Sequence, residues 1–203
     1  MKTWKILFII IVLTTFHSNS YAQRISDPSL ESNLCVKRYD IIIDAYYGFP
    51  YLMGSYVKQV LADSFGITGA RNLNHLGGKF EYMVWDKIGL GVEYTYAALT
   101  LTYQGSSGKF YTAGVSKQRF LAKFNYHFAT SLRLDPYLTS GIGYSNSKVF
   151  TNEPGNAGES ITFIPVAFRT GIGMRYFFTE MVGVNAEVGL GGPLIQGGIS
   201  FKF

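Results

Sequence analysis

Charged residues of both signs recur along this chain between mostly apolar neighbours, and they are the first candidates for chemistry. The set is Lys79, Glu81, Glu93, Lys123, Arg169, Arg175, Glu187 and Lys202. A charge taken out of water is very costly unless it is paired. Residues in this pattern are therefore either solvated or gathered into a network in one enclosed space. In such a space Arg169 and Arg175 would pair with Glu187, Glu81 and Glu93. The same space, if open, would conduct ions. A second constellation is His127 with Ser131. A serine nucleophile needs a base within hydrogen-bond reach and a third group to orient it, and at a membrane that pair would make a lipid-modifying hydrolase. His75 reads as a loop residue and His17 as part of an export segment, so neither adds to it. Three histidines and one cysteine, widely separated, show no metal-ligand spacing. The expectation is no catalytic residue, no cofactor and no metal.

The elements that must position these charges are strands. Strand side chains alternate with period two, so each strand has two faces. Ile195, Gly197, Ile199, Phe201 and Phe203 oppose Gln196, Gly198, Ser200 and Lys202. Val182, Val184, Ala186, Val188 and Leu190 oppose Gly183, Asn185, Glu187 and Gly189. Ile164, Val166, Phe168, Thr170, Ile172, Met174 and Tyr176 oppose Arg169, Gly171, Gly173 and Arg175. Phe120, Ala122, Phe124, Tyr126 and Phe128 oppose Leu121, Lys123, Asn125 and His127. Leu138, Ile142 and Tyr144, then Ile88, Leu90, Val92, Tyr94 and Tyr96, then Phe80, Tyr82 and Val84, give three more. Ile41, Ile43, Ala45 and Tyr47 against Asp40, Asp44 and Tyr46 give the first strand. After Tyr96 the apolar parity slips to Ala97, Leu99 and Leu101, which predicts a β-bulge or the end of a membrane-embedded part.

Eight strands suit closure into a barrel, because a bilayer core cannot hydrogen-bond a free sheet edge. The connections alternate. Trp85-Asp86-Lys87, Thr130 to Leu134 and Thr179-Glu180 are short, whereas 49–75, 104–114 and 147–160 are long, with Gly191 to Pro193 a short fourth. Short periplasmic turns and longer external loops are the membrane-barrel pattern. A soluble barrel of lipocalin type would be apolar inside and polar outside. Here the polar face carries paired charges suited to a narrow lumen, and the other face is uniformly apolar and rich in Phe and Tyr. The fold class is thus all-β, an eight-stranded antiparallel transmembrane β-barrel of the outer-membrane type.

Composition agrees. Lys2 and Lys5 precede an apolar run from Ile6 to Leu13, too short to span a bilayer as a helix. Ser20 and Ala22 then place small residues for cleavage before Gln23. The reading is a signal peptide over 1–22, a periplasmic tail over 23–38 and the barrel over 39–203, in the outer membrane of a Gram-negative cell. The single Cys35 forms no internal disulfide and reads as an incidental residue of the tail. Ser32 stands where a lipidation motif usually has Leu. The net charge is +5. Loss of Lys2 and Lys5 leaves sixteen basic against thirteen acidic residues, or +3, too little to argue for nucleic acid. Aromatics at 16% and 23 glycines suit strands, membrane interfaces and crowded barrel interiors.

The first external loop, 49–75, is the most unusual segment. Val57, Val60, Leu61, Ser64 and Phe65 recur at helical spacing, with Lys58 and Asp63 on the other face and Gly66 as a stop. An amphipathic helix there would lie on the membrane surface, cap the barrel or dock on a protein partner. Tyr46, Tyr47, Phe49, Pro50, Tyr51 and Leu52 before it suit an aromatic girdle at the outer interface.

The terminal Gly198-Ile199-Ser200-Phe201-Lys202-Phe203 resembles the assembly signal of outer-membrane proteins, in which a final Phe follows alternate apolar residues. The resemblance implies that Ile199, Phe201 and Phe203 are read by the barrel-assembly machinery. Asp86-Lys87-Ile88-Gly89-Leu90-Gly91, Phe124-Asn125-Tyr126-His127-Phe128, Asp135-Pro136-Tyr137 and Arg175-Tyr176-Phe177-Phe178-Thr179 carry a wider likeness over residues 39–203. With them the chain resembles the small outer-membrane β-barrel family of Bacteroidetes-type bacteria, related in architecture to OmpX and the OmpA transmembrane domain. These motifs specify turns and strand ends and carry no activity. The expected partners are outer-membrane lipid and lipopolysaccharide, the assembly machinery, and a protein partner through loop 49–75. The leading function is a non-enzymatic barrel with a structural or surface-interaction role. Its rivals are an accessory subunit of a secretion or transport complex and a lipid-modifying enzyme.

Overall fold

The structure is a computed structural model and describes residues 34–51, 67–104, 108–152 and 165–203. The expected signal peptide, residues 23–33 of the tail, and Leu52, Val57, Val60, Leu61 and Phe65 lie outside the described residues.

Eight strands follow in chain order: β1 (Ile41–Phe49), β2 (Ile67–Trp85), β3 (Ile88–Gln104), β4 (Phe110–His127), β5 (Leu134–Thr151), β6 (Val166–Phe177), β7 (Val182–Leu190) and β8 (Ile195–Lys202). Each pairs antiparallel with the next, and β1 also pairs with β8, so the sheet closes. Ile41 and Phe203 exchange two backbone hydrogen bonds of 2.9 Å at the seam. Among the described residues no helix is long and apolar enough to cross a membrane; strands supply the apolar surface instead.

The two faces have opposite character. Phe124, Leu138, Ile172, Val188 and Ile199 point outward and are exposed, while Lys79, Glu93, Arg169 and Arg175 point inward and are buried. This polarity is the reverse of a water-soluble barrel, and only a surrounding lipid phase makes it favourable. The outward residues also sort by height. Trp85, Tyr126, Tyr176, Phe178 and Phe203 crowd the short-turn end, and Tyr47, Phe49, Phe120, Tyr144 and Phe168 lie toward the other. The band between is mostly aliphatic but includes the aromatic Phe80 and Phe124, as expected of a hydrocarbon zone between two aromatic girdles.

The strands run further than their sequence pattern indicates. The expected loops 49–75 and 104–114 shrink to the connections 50–66 and 105–109, and the expected loop 147–160 moves to 152–165 without shortening. His75 is consequently a buried strand residue, 4% exposed, and not a loop residue. The parity slip after Tyr96 is also relocated. The pairing of β2 with β3 shifts between Leu73↔Ala98 and Leu76↔Tyr96, which puts the extra residue in β2 and leaves β3 regular. Ala97, Leu99 and Leu101 therefore keep the inward parity of Glu93 and Thr95. They form an apolar collar with Tyr51 at the long-loop end of the lumen. The girdle proposed for residues 46–52 divides for the same reason: Tyr47 and Phe49 face out, but Tyr46 and Tyr51 are buried.

Candidate functional site

An eight-stranded barrel is just wide enough for side chains to fill it, and here charged side chains do so in two tiers. The tier nearer the short-turn end centres on Arg175. Its guanidinium lies 2.9 Å from Asp44, 2.6 Å from Glu81 and 3.3 Å from Asp135. The ring of Tyr137 packs on it at 4.5 Å. Ser200 donates to Asp44 at 2.6 Å, and Asn185 donates to Ser200 at 3.0 Å. His127 completes the tier, with Nδ1 2.7 Å from Asp135 and Nε2 2.9 Å from Glu81. A carboxylate only accepts, so bridging both takes a proton on each ring nitrogen.

The second tier lies toward the long loops. Lys79 and Arg169 both pair with Glu187, the latter at 2.7 Å, and Lys123 pairs with Glu93 at 2.9 Å. The Tyr46 hydroxyl donates to Glu93 at 2.5 Å, and the Tyr137 hydroxyl donates to Glu187 at 3.2 Å. Tyr137 thus joins the tiers, its ring in one and its hydroxyl in the other. Two glycines make room for these rings. A Cβ on Gly77 or on Gly173 would collide with the ring of Tyr46 or of Tyr137 respectively.

The chain just before β1 stops the short-turn end. Residues 34–40 cross the mouth, held by Cys35 N–H to Ser131 O at 2.9 Å, Arg38 N–H to Asp86 at 3.1 Å and Tyr39 N–H to Met83 O at 2.8 Å. A turn from Lys37 to Asp40 sets the crossing, with Tyr39 at a φ of 77°, uncommon outside glycine. Cys35 and Val36 pack with Ile42, Met83 and Phe177 as an apolar stopper. Burial pushes the Cys35 thiol up to about 12, and the Asp135 charge adds to it. A thiol held neutral is a poor nucleophile.

Seven of the eight charges singled out from sequence enter the lumen. Lys202 does not: it sits at the short-turn rim, 3.6 Å from Asp40 and 5.7 Å from the Phe177 ring. The end of a strand puts even an inward side chain within reach of water. Asp44, Arg119, His127 and Asp135 belong to the lumen and were not grouped with the network, although Asp44 and His127 carried the right parity. His127 and Ser131 are not brought together. Both nitrogens of His127 face carboxylates, and the Ser131 hydroxyl is exposed and accepts from Leu134 N–H at 3.2 Å. Ile199, Phe201 and Phe203 line the outer surface beside the seam. Among the described residues no group of three His, Cys, Asp or Glu side chains is arranged to hold a metal ion.

Comparison with known proteins follows the fold. The family model described as outer membrane protein beta-barrel domain matches residues 54–195. The N-terminal β-barrel domain of Pseudomonas aeruginosa OprF superposes with a TM-score of 0.47 at 18% identity, covering 82% of this chain and 99% of that one. OprG from the same organism gives 0.44 at 15% identity, with 83% and 97% covered. No curated protein sequence matches the chain.

Proposed function

The chain belongs to the outer membrane protein beta-barrel domain family, and on that footing we propose that it serves the outer membrane as a closed, non-enzymatic barrel that carries external segments for surface contacts. The outer membrane fixes the orientation: short turns face the periplasm and long segments face outward. The observation that carries the reading is the double closure of the lumen. Arg175 and its three carboxylates fill the periplasmic half, and the Cys35–Val36 stopper lies beneath them. Opening a path would strand several buried charges at once. The hairpins β2–β3 and β4–β5 are built from strands of 17 to 19 residues, against 8 to 12 in β6, β7, β8 and β1. One side of the rim therefore stands taller and offers a rigid wall for contact. In biogenesis, Ile199, Phe201 and Phe203 serve as the assembly signal of a strand that must finally zip onto β1, and residues 1–22 serve as the cleaved export signal.

The test is conductance. Purified full-length protein is reconstituted in planar lipid bilayers at high salt. The account expects no stable conductance steps from folded protein. Reproducible open-channel currents that vanish on heat denaturation would show a pore and overturn the closed-barrel reading.

A further inference from the structure

Among the described residues, the outer half of the lumen holds more positive charge than its carboxylates neutralise. Among the described residues Glu93 and Glu187 face Lys79, Lys123 and Arg169, and Arg119 and Lys117 face the same space without an ion pair. Arg119 is 4% exposed, and its bond among the described residues is to the Phe168 carbonyl, at 2.8 Å. It also converges on a second guanidinium. A Cβ built on Gly192 would lie 2.6 Å from Arg119 Nη1 and 2.5 Å from Arg169 Nη1, so both flank one point under the β7–β8 turn. Two buried guanidinium groups this close repel unless an anion lies between or beside them.

Independent polar atoms surround the same place. His75 and Gln196 flank Gly48 at one level of β2, β1 and β8. Gln196 is 1% exposed, and among the described residues neither its amide nitrogen nor its amide oxygen has a hydrogen-bond partner, nor does His75 Nδ1. Arg119 and Arg169 both act electrostatically on His75. Buried polar atoms in native proteins are nearly always bonded, so unpartnered ones ask for a ligand or ordered water. Pro193 packs over Gly48 and accepts from Arg169 Nη1 at 3.1 Å, which ties the turn to the site. The apolar collar of Leu99, Leu101 and Tyr51 lies on the outer side.

We propose that Arg119, Arg169, His75 and Gln196 form an anion site in the outer half of the lumen, shaped for a phosphate-type oxyanion. Arg169 is engaged with Glu187 and Pro193 O, and Arg119 Nη2 with Phe168 O, but Nη1 of each still has an N–H to spare, and these two Nη1 groups converge on the same point. Gln196 on β8 and His75 on β2 add polar atoms, unpartnered among the described residues, from the other strands. The site is a dead end, since the Arg175 tier closes the lumen below it. It stands whether or not the external segments bind a protein. The anion's source is either free phosphate or the phosphate headgroup of an outer-leaflet lipid whose apolar part meets the collar.

The experiment uses full-length protein refolded in phosphate-free neutral detergent. Inorganic phosphate is titrated by calorimetry at constant ionic strength with chloride as the balancing anion. In parallel, protein in phosphatidylcholine vesicles is compared with protein in vesicles that also contain phosphatidic acid, with the melting temperature as readout. Saturable phosphate binding that falls about tenfold or more in Arg119→Gln, and is unchanged in Lys202→Gln at the other rim, supports the site with free phosphate as its ligand. Stabilisation by phosphatidic acid alone, lost in Arg119→Gln, supports it with a lipid headgroup. If Arg119→Gln does not fold, Gln196→Leu takes its place, and the same weakening is expected. No response to either probe, or a response that both variants leave intact, overturns the proposal.

Discussion

Arg175 and Arg119 occupy inward positions of the same barrel, yet their surroundings differ completely. Arg175 meets three carboxylates and an aromatic ring, and every one of its partners is itself bonded to something else. Arg119 meets a backbone carbonyl and the flank of another arginine. The periplasmic half of the lumen thus has its charges closed within the protein, and the outer half does not. Charge composition alone does not show this, because both halves draw on the same residue types. What differs is which strands bring acids to the same height: β1, β2 and β5 all do so around Arg175, whereas β3 and β7 alone supply the outer tier.

The comparison can be broken most severely at its better-paired end. Arg175→Met would leave Asp44, Glu81 and Asp135 buried around an apolar side chain. Loss of one partner from a buried ion network costs about 3–5 kcal/mol. Urea unfolding in phospholipid vesicles, followed by Trp85 fluorescence, should show a loss of that size. Glu187→Gln acts on the other tier. It removes the carboxylate shared by Lys79 and Arg169, but Glu93 stays 4.0 Å from Arg169. A smaller loss of about 1.5–3 kcal/mol is expected from the same assay. Gly173→Val strikes the Tyr137 joint between the tiers, where added bulk meets the ring. Overpacking of this kind costs about 1–3 kcal/mol, and Gly173→Ala should fall between it and the native chain.

The smallest effect concerns the Cys35 stopper. The folded thiol stays neutral up to about 12, whereas an unfolded thiol ionises near 9.0. Raising the pH from about 9 toward 12 therefore favours the unfolded chain, and stability should fall slightly over that window. Cys35→Ala should remove this part of the pH dependence. Maleimide labelling at pH 8 should be slow in the folded protein and fast in urea; equal rates would show that Cys35 is not buried.

Much of this was legible in the sequence because period-two alternation sets both face and register. Val182 to Leu190 and Ile195 to Phe203 read unambiguously, and so did Arg169, Arg175 and Glu187 as inward charges. The reading failed where alternation lost its contrast. Ile67 to His75 is rich in Gly, Asn and Arg and carries a bulge, so it resembled a loop although the regular β3 opposite gives it a pairing partner. Ala97, Leu99 and Leu101 looked like a parity slip because the interior itself turns apolar near the mouth. Asp135 lies between the turn read at Thr130 to Leu134 and the alternation that begins at Leu138, beside Pro136, so no face is assigned to it from sequence. The grouping of Arg175 with three acids needs the barrel closed, since Asp44 and Arg175 are 131 residues apart in the chain.

The most direct test sets the two arginines side by side. Urea unfolding of native protein, Arg175→Met and Arg119→Gln is measured in the same vesicles, without phosphate. The account predicts a loss of about 3–5 kcal/mol for Arg175→Met. Arg119→Gln should stay within about 1 kcal/mol of the native chain or gain stability, because it removes a buried charge without a carboxylate partner. Equal losses for the two variants would contradict the division of the lumen into a neutralised half and a cation-rich half.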